Sequence, residues 1–305
     1  MRTTTPGPST TVGDRDLPQL YLANDQKALS RQSESLRATR TQLILLLIAT
    51  ATAVIAQRFD SQIAAGPAAV MYGLAILMGV RTSRRHAHAH WQVHRDAAEF
   101  MKSLAWQYMV RGGPFPSHVP DPDGVFAERL EERLLELRRV GWTESRTAPQ
   151  IMATGQITPV MRAVRAKPFT ARRDIYLRDR MLEQMTWYRN RSLQEHRAAL
   201  RWSAVSTALT LLALLTAAVQ ALGLSHGGWD LTGLLASAAA ACVGWQEVRR
   251  HRPLHYAHAL VEQDLEALRV TVNTTVTEDC WARTVATAER LVSPQHTDWL
   301  ARFGS

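Results

Sequence analysis

Two rows of histidines are the first residues in this 305-residue chain whose type and spacing suggest chemistry. His86, His90 and His94 recur every four residues, and His251, His255 and His258 repeat the pattern later. On a helix this spacing places the imidazoles on one face, where two or three could ligate a single metal ion. No cysteine or tight carboxylate pair stands near either row to complete a coordination sphere, so metal is the weaker reading. The stronger one is a set of solvated, membrane-proximal histidines that help neighbouring arginines meet anionic headgroups. Asp179, Glu183 and Glu195 could do acid–base work, yet they alternate with Arg178, Arg180, Arg189 and Arg197, as on a salt-bridged helix face. Trp187 and Tyr188, with Trp91, Trp106 and Tyr108, could stack a base, but at helical spacing in polar segments they are expected to be packing anchors. There is no Walker loop, His-Glu-x-x-His or Gly-x-Ser-x-Gly. No catalytic residue, enzyme activity or cofactor is therefore expected.

A further set of polar and small residues lies within apolar sequence. Ser203, Ser206, Thr210, Ala213, Ala217 and Gln220 recur at 3-4-3-4-3 spacing, a narrow helical stripe. A hydroxyl or amide in hydrocarbon needs a partner, so the stripe should face protein or water. Gln220, and Gln57 at the corresponding depth of an earlier run, fit either an interhelical hydrogen bond or a polar ring at a pore mouth. Gly233, Ser237 and Ala241 form a small-residue row suited to close helix packing, within the chain or between copies.

The elements that carry these residues are four uncharged runs. Residues 203–224 contain no ionisable side chain and make about 33 Å of helix, matching the roughly 30 Å hydrocarbon core of a bilayer. Residues 231–246 follow after a Gly-Gly turn, and Asp230 is the only formal charge between Trp202 and Gln246. Earlier in the chain, residues 41–57 and 63–80 flank the turn Arg-Phe-Asp-Ser-Gln, with Pro67 near the start of the second run. The sequence predicts an all-α membrane protein of two tandem two-helix transmembrane hairpins with long cytoplasmic helical extensions. Residues 1–16 read as a disordered tail with nothing to bury. A first two-span domain occupies 17–111, a linker with an amphipathic helix at 125–140 occupies 112–172, and a second two-span domain occupies 173–302. Residues 81–111 should continue as one helix, Pro253 should break the helix leaving the fourth run, and Ser293 should cap a short last helix.

The net charge is +9, and Lys27, Lys102 and Lys167 are the only lysines. Arg37, Arg40, Arg81, Arg84 and Arg85 flank the terminal side of the first hairpin, and Arg197, Arg201, Arg249, Arg250 and Arg252 that of the second. The two turns hold only Arg58. This asymmetry predicts an inner-membrane, multi-pass protein with both termini cytoplasmic. It also explains most of the charge without nucleic acid, and no basic stripe is interleaved with stacking aromatics. Cys242 and Cys280 make neither a disulfide framework nor a zinc site. Tyr-Leu-Ala-Asn-Asp at 21 against Tyr-Leu-Arg-Asp-Arg at 176, and Arg-Arg-His at 84 against 249, mark the halves as diverged copies of one plan.

These copies resemble the SLATT family, the two-transmembrane effector domains associated with SMODS and SLOG proteins in prokaryotic conflict systems. In the first half the resemblance lies in LPQLYLANDQ (17–26), WQVHRDAAEFMKSLAWQYM (91–109) and Gly113-Pro114-Phe115. In the second it lies in YLRDRMLEQMTWYRNRS (176–192), YAHALVEQDLEAL (256–268) and AERLVSPQHTDWL (288–300). The resemblance implies a membrane effector that perturbs or permeabilises the bilayer when a nucleotide-sensing or nucleotide-synthesising partner triggers it, and it brings no catalytic residues; a homo-oligomer is expected beside it. A membrane scaffold that recruits a cytoplasmic partner, or a small constitutive channel, are the alternatives.

Overall fold

The computed structural model describes residues 11–59, 62–84, 87–140, 153–224, 230–274 and 277–293. All regular structure among them is helical. The α-helices are α1 (Gln19–Arg58), α2 (Gln62–Arg84), α3 (Ala87–Val110), α4 (Pro122–Arg139), α5 (Pro159–Arg165), α6 (Phe169–Tyr176), α7 (Leu182–Ala221), α8 (Leu231–Arg249), α9 (His251–Thr274) and α10 (Glu278–Leu291). A π-helical turn, Leu177–Met181, joins α6 to α7. The region expected as one helix over 81–111 is α2 to Arg84 and α3 from Ala87, with residues 85 and 86 outside the described residues. The short helix expected after Ser293 also lies outside them.

The four apolar runs fall within α1, α2, α7 and α8. Helix α1 and the continuous run Phe169–Ala221 are each long and apolar enough to cross a membrane, and Gly66–Arg81 is a shorter apolar stretch. Only 11% and 6% of the two long apolar windows are buried, whereas the core helix of a soluble protein would be mostly buried.

The chain forms two compact units, each drawing on both halves of the sequence. One comprises residues 1–29, 90–192 and 256–305, and the other residues 30–89 and 193–255.

The first unit holds a conventional apolar core. Helix α4 starts where Asp121 accepts the Gly124 N–H at 2.9 Å and Pro122 occupies the first turn, whose N–H groups need no helical partner. Its Leu130, Leu134 and Leu137 face the core as their spacing predicts, and Phe126 joins them. The opposite face pairs Arg129 with Glu132 and Arg133 with Glu136. Tyr108 meets both Phe115 and Phe126 edge to face at 5.6 Å, a geometry that suits aromatic quadrupoles.

Two expectations are corrected here. Residues 12–16 are not a free tail: Val12 and Leu17 are buried, and the Val12 N–H donates to Asp179 at 3.0 Å. Asp14 takes a hydrogen bond from Lys102 at 2.7 Å, and Thr158 donates to the Asp16 carbonyl at 2.7 Å. Two apolar side chains and three polar anchors supply what a Thr/Pro/Gly composition hid. Nor do residues 112–140 and 153–172 behave as a linker, because Phe115, Ile157, Met161 and Val164 are core residues. The Pro- and Gly-rich residues 112–121 form turns between α3 and α4 of one packed body.

Helix α3 ends inside this core, where its last carbonyls need donors. Arg111 adopts the left-handed conformation (φ 57°), and the Gly112 N–H returns to Gln107 at 2.8 Å. Arg165 donates to the Tyr108 carbonyl at 2.8 Å, while the Trp281 indole and Arg172 donate to that of Val110 at 2.7 and 3.3 Å. Cationic groups are favoured at this end of a helix dipole.

In the second unit, helices adjacent in sequence touch through polar contacts. The hydroxyls of Thr50 in α1 and Tyr72 in α2 lie 3.0 Å apart, and Gly79 lets the Gln42 amide approach so closely that a Cβ would stand 2.7 Å from it. Thr216 in α7 and Thr232 in α8 are 2.9 Å apart. Helix α7 stops at Gly223 (φ 67°), whose conformation lets the Leu224 N–H reach Val219 at 3.1 Å. Arg250 takes the left-handed conformation (φ 49°) between α8 and α9. The break expected at Pro253 thus falls three residues before it, which puts the proline in the first turn of α9, where its missing N–H costs little.

Candidate functional site

Helices α7 and α8 carry most of the polar positions that the sequence singles out. Ser203, Ser206 and Ala217 are half-buried, Ala213 is buried, and Thr210 and Gln220 are exposed. Ser206 and Thr210 donate to their own helix, to the carbonyls of Ser203 at 3.0 Å and Ser206 at 2.9 Å. Gln220 accepts from Thr232 at 3.4 Å. Thr232 therefore joins two α7 side chains one turn apart, and Thr216 is the member of this cluster that sequence reasoning missed. Its signal was available: Ala213, Thr216 and Gln220 also follow 3-4 spacing. Gly233 has a local reason to be small, because its N–H caps on Asp230 at 2.9 Å and a Cβ there would lie 2.6 Å from that carboxylate. Ser237 donates to the Gly233 carbonyl at 2.8 Å, and Ala241 is half-buried. Gln57 is exposed near the end of α1.

Among the described residues the histidines of the two rows each take a separate partner. His94 shares a 2.8 Å hydrogen bond with Asn24. His251 is buried against Glu195, His255 stacks on His196 at 4.7 Å between centroids, and His258 packs against Trp187 and Tyr188. His86 and the side chain of His90 lie outside the described residues. Among the described residues, no group of three metal-binding side chains forms.

Of the expected salt-bridged face around 178–197, Arg178 pairs with its neighbour Asp179. Three members of the set pair across helices: Arg189 with Glu262, Glu195 with His251, and Arg180 with Glu289. The last pair is fully buried and carries a third member, Tyr176, whose hydroxyl donates to Glu289 at 3.0 Å. Burial pushes the Tyr176 phenol well above its ordinary range, and the Glu289 charge adds to this. Burial opposes the charged form of Arg180 as well, but the attraction of Glu289 outweighs it and holds the guanidinium above its ordinary value. A cavity of about 380 Å³ beside this network is lined by Asp96, Glu99, Arg133, Arg180, Glu289 and Arg290 among others. Its three acids and three bases leave the lining without net formal charge. Trp106, Tyr108 and Tyr188 are packing anchors, as their spacing predicts, whereas Trp187 is 45% exposed.

The apolar helices and the charged helical body agree with what comparison with known families finds. Residues 18–173 match the family described as SMODS and SLOG-associating 2TM effector domain 3. Residues 176–299 match SMODS and SLOG-associating 2TM effector domain 1. The chain belongs to the SLATT family. It carries two SLATT domains in tandem, and their junction at residues 173–176 falls at the end of α6, just before the π-helical turn. The SLATT assignment makes it a protein of the two-transmembrane effector class. No curated protein and no solved structure matches the chain.

Proposed function

We propose that this tandem SLATT protein is a four-span inner-membrane effector without enzymatic activity. Both of its hairpins enter from the cytoplasmic side, and it oligomerises and permeabilises the membrane when a partner triggers it. The observation that carries this reading is the occurrence of two 2TM effector domains in one chain, each containing two apolar runs. The Thr50–Tyr72 and Thr216–Thr232 contacts support the pairing of those runs into hairpins. The arginines at the terminal ends of the runs support the in–out–in direction. With both hairpins entering from one side, the copies are parallel repeats about an axis along the membrane normal. The partner fits a nucleotide-synthesising or nucleotide-sensing protein, as the SMODS and SLOG association of the domains suggests.

Controlled expression with a membrane-potential dye tests the reading. Loss of potential, in the presence of the trigger or at high expression, is the expected result. An undisturbed potential in cells where the protein is shown to be membrane-integrated and oligomeric would favour a scaffold.

A further inference from the structure

The cavity of about 380 Å³ in the first unit lies between one face of α3, helix α4, the π-helical turn and the end of α10. Its formal charges cancel, but its hydrogen-bonding capacity does not. The acids are already supplied. Glu289 accepts from the Tyr176 hydroxyl and from Nε and Nη2 of Arg180. Glu99 pairs with Arg95, which stands outside the lining, and Asp96 is engaged as well. The donors are left over. Arg180 has given two of its nitrogens to Glu289, and its third, Nη1, is buried with no acceptor among the described residues. Arg290 is exposed, gives only its Nε to the Ala286 carbonyl at 3.3 Å, and makes no ion pair among those residues. Ser103 accepts from Gln107 at 3.0 Å and retains its own proton.

These donors are graded in depth. Arg180 is 2% exposed, which puts it on the inner wall, and exposed Arg290 stands at the mouth. A buried guanidinium nitrogen without an acceptor carries a desolvation cost that a bound acceptor would remove. The residue that bears it sits in a π-helical turn, a rare backbone form that concentrates at functional sites. Phe100, Ala286 and Val292 give the cavity an apolar wall, with the Arg133 guanidinium 5.8 Å from the centre of the Phe100 ring. The volume suits a small molecule, and such sites combine an apolar wall with a few convergent polar groups. Negatively charged oxygen matches unspent guanidinium N–H groups best, through short charge-assisted hydrogen bonds.

We infer that this cavity binds a small organic oxyanion, a carboxylate or phosphate monoester with an apolar flank, on Arg180, Arg290 and Ser103. The site lies in the charged helical body and stands or falls apart from the membrane reading.

The full-length protein in a neutral detergent, at constant ionic strength, is titrated calorimetrically with benzoate, phenyl phosphate, inorganic phosphate and uncharged benzamide. At least one of the two organic anions should bind saturably, about tenfold more tightly than benzamide or inorganic phosphate. The tighter of the two names the anionic group. Arg290→Gln should weaken its binding about tenfold. Arg180→Lys, which keeps a charge beside Glu289 but has no Nη1, should do the same. Arg283→Gln, at an exposed position of α10 outside the lining, should leave it unchanged. Phenylglyoxal, which modifies exposed guanidinium groups, gives a readout that needs no variant. Bound anion should shield Arg290 and not Arg283, as mapped by peptide mass spectrometry. Should Arg180→Lys fail to fold, the Arg290 variant and the shielding decide. No binding of either organic anion, benzamide bound as tightly, or undiminished affinity in a folded lining variant would overturn the inference. Inorganic phosphate bound as tightly as the better organic anion would remove the apolar wall from the site and overturn it too.

Discussion

Arg180 and Glu289, 109 residues apart, meet through two parallel hydrogen bonds, Nε to Oε1 at 3.1 Å and Nη2 to Oε2 at 2.7 Å. Their side chains are only 2% and 1% exposed. Taking a single partner from such a pair leaves an uncompensated buried charge. Glu289→Ala should therefore cost about 3–5 kcal/mol of stability in detergent. Exchanging both residues for apolar ones of similar volume should recover much of this, because the desolvation of both charges disappears. Thermal unfolding followed by circular dichroism reads both effects, and a Glu289→Ala protein within about 1 kcal/mol of wild type would show that the pair is not the keystone its burial implies.

Tyr108 donates to Asp123 at 2.6 Å, and burial with that hydrogen bond pushes its phenol up to about 12 from an ordinary 10.0. The folded state thus holds this proton over a range where the unfolded chain has released it. The contribution is complete below pH 10 and disappears as pH rises from about 10 to about 12. Tyr108→Phe should cost about 1–3 kcal/mol at neutral pH. It should also flatten the part of the stability profile that falls between pH 10 and 12. An unaltered alkaline profile in the variant would assign that slope to other groups.

Gly112 stands against Val285 so closely that a Cβ would lie 2.3 Å from its Cγ1. Gly112→Ala should destabilise the first unit by about 1–3 kcal/mol, through overpacking rather than backbone strain. Val285→Ala in the same chain should recover part of the loss, though each substitution alone is harmful. Purely additive losses would show that the clash relaxes some other way.

With Cys242 and Cys280 replaced by serine, Thr216→Cys and Thr232→Cys should oxidise to an intramolecular disulfide, since their hydroxyls are 2.9 Å apart. Gln220→Leu removes the neighbouring acceptor and should cost about 0.6–2 kcal/mol if its role is packing. Lost activity at unchanged stability and oligomer size would instead assign it to a pore. Failure of the disulfide in reconstituted protein would count against the α7–α8 hairpin.

Single cysteines introduced into the cysteine-free protein test its direction in the membrane. Those replacing Ser61 and Ser225 should react with an impermeant thiol reagent in intact cells, and those replacing Ser117 and Ser293 should not. External labelling at Ser117 would reverse the proposed layout.

The helices that carry the apolar runs were readable because their signal is local. Uncharged stretches are conspicuous among arginines, and the Leu130, Leu134, Leu137 row announces its own buried face. The charged core was not readable. Asp179 and Arg180 are consecutive in sequence but part in structure: Asp179 receives Val12, whereas Arg180 turns to Glu289. Which face each occupies depends on the π-helical turn, which adds a residue to the helical register and has no sequence signature. Residues 12–17 escaped for a related reason, since two buried side chains leave no periodicity to detect.

The indole of Trp281 closes the end of α3 on Val110, 171 residues upstream. At ordinary translation rates of about 5–20 residues per second, the carbonyl waits roughly 10–30 seconds for its donor to be made. All four apolar runs, which end at residue 246, have been synthesised by the end of that interval. A nascent chain is therefore committed to its hydrophobic segments before its polar body can close. A message truncated ahead of Trp281 would deliver those segments with the polar body permanently unfinished.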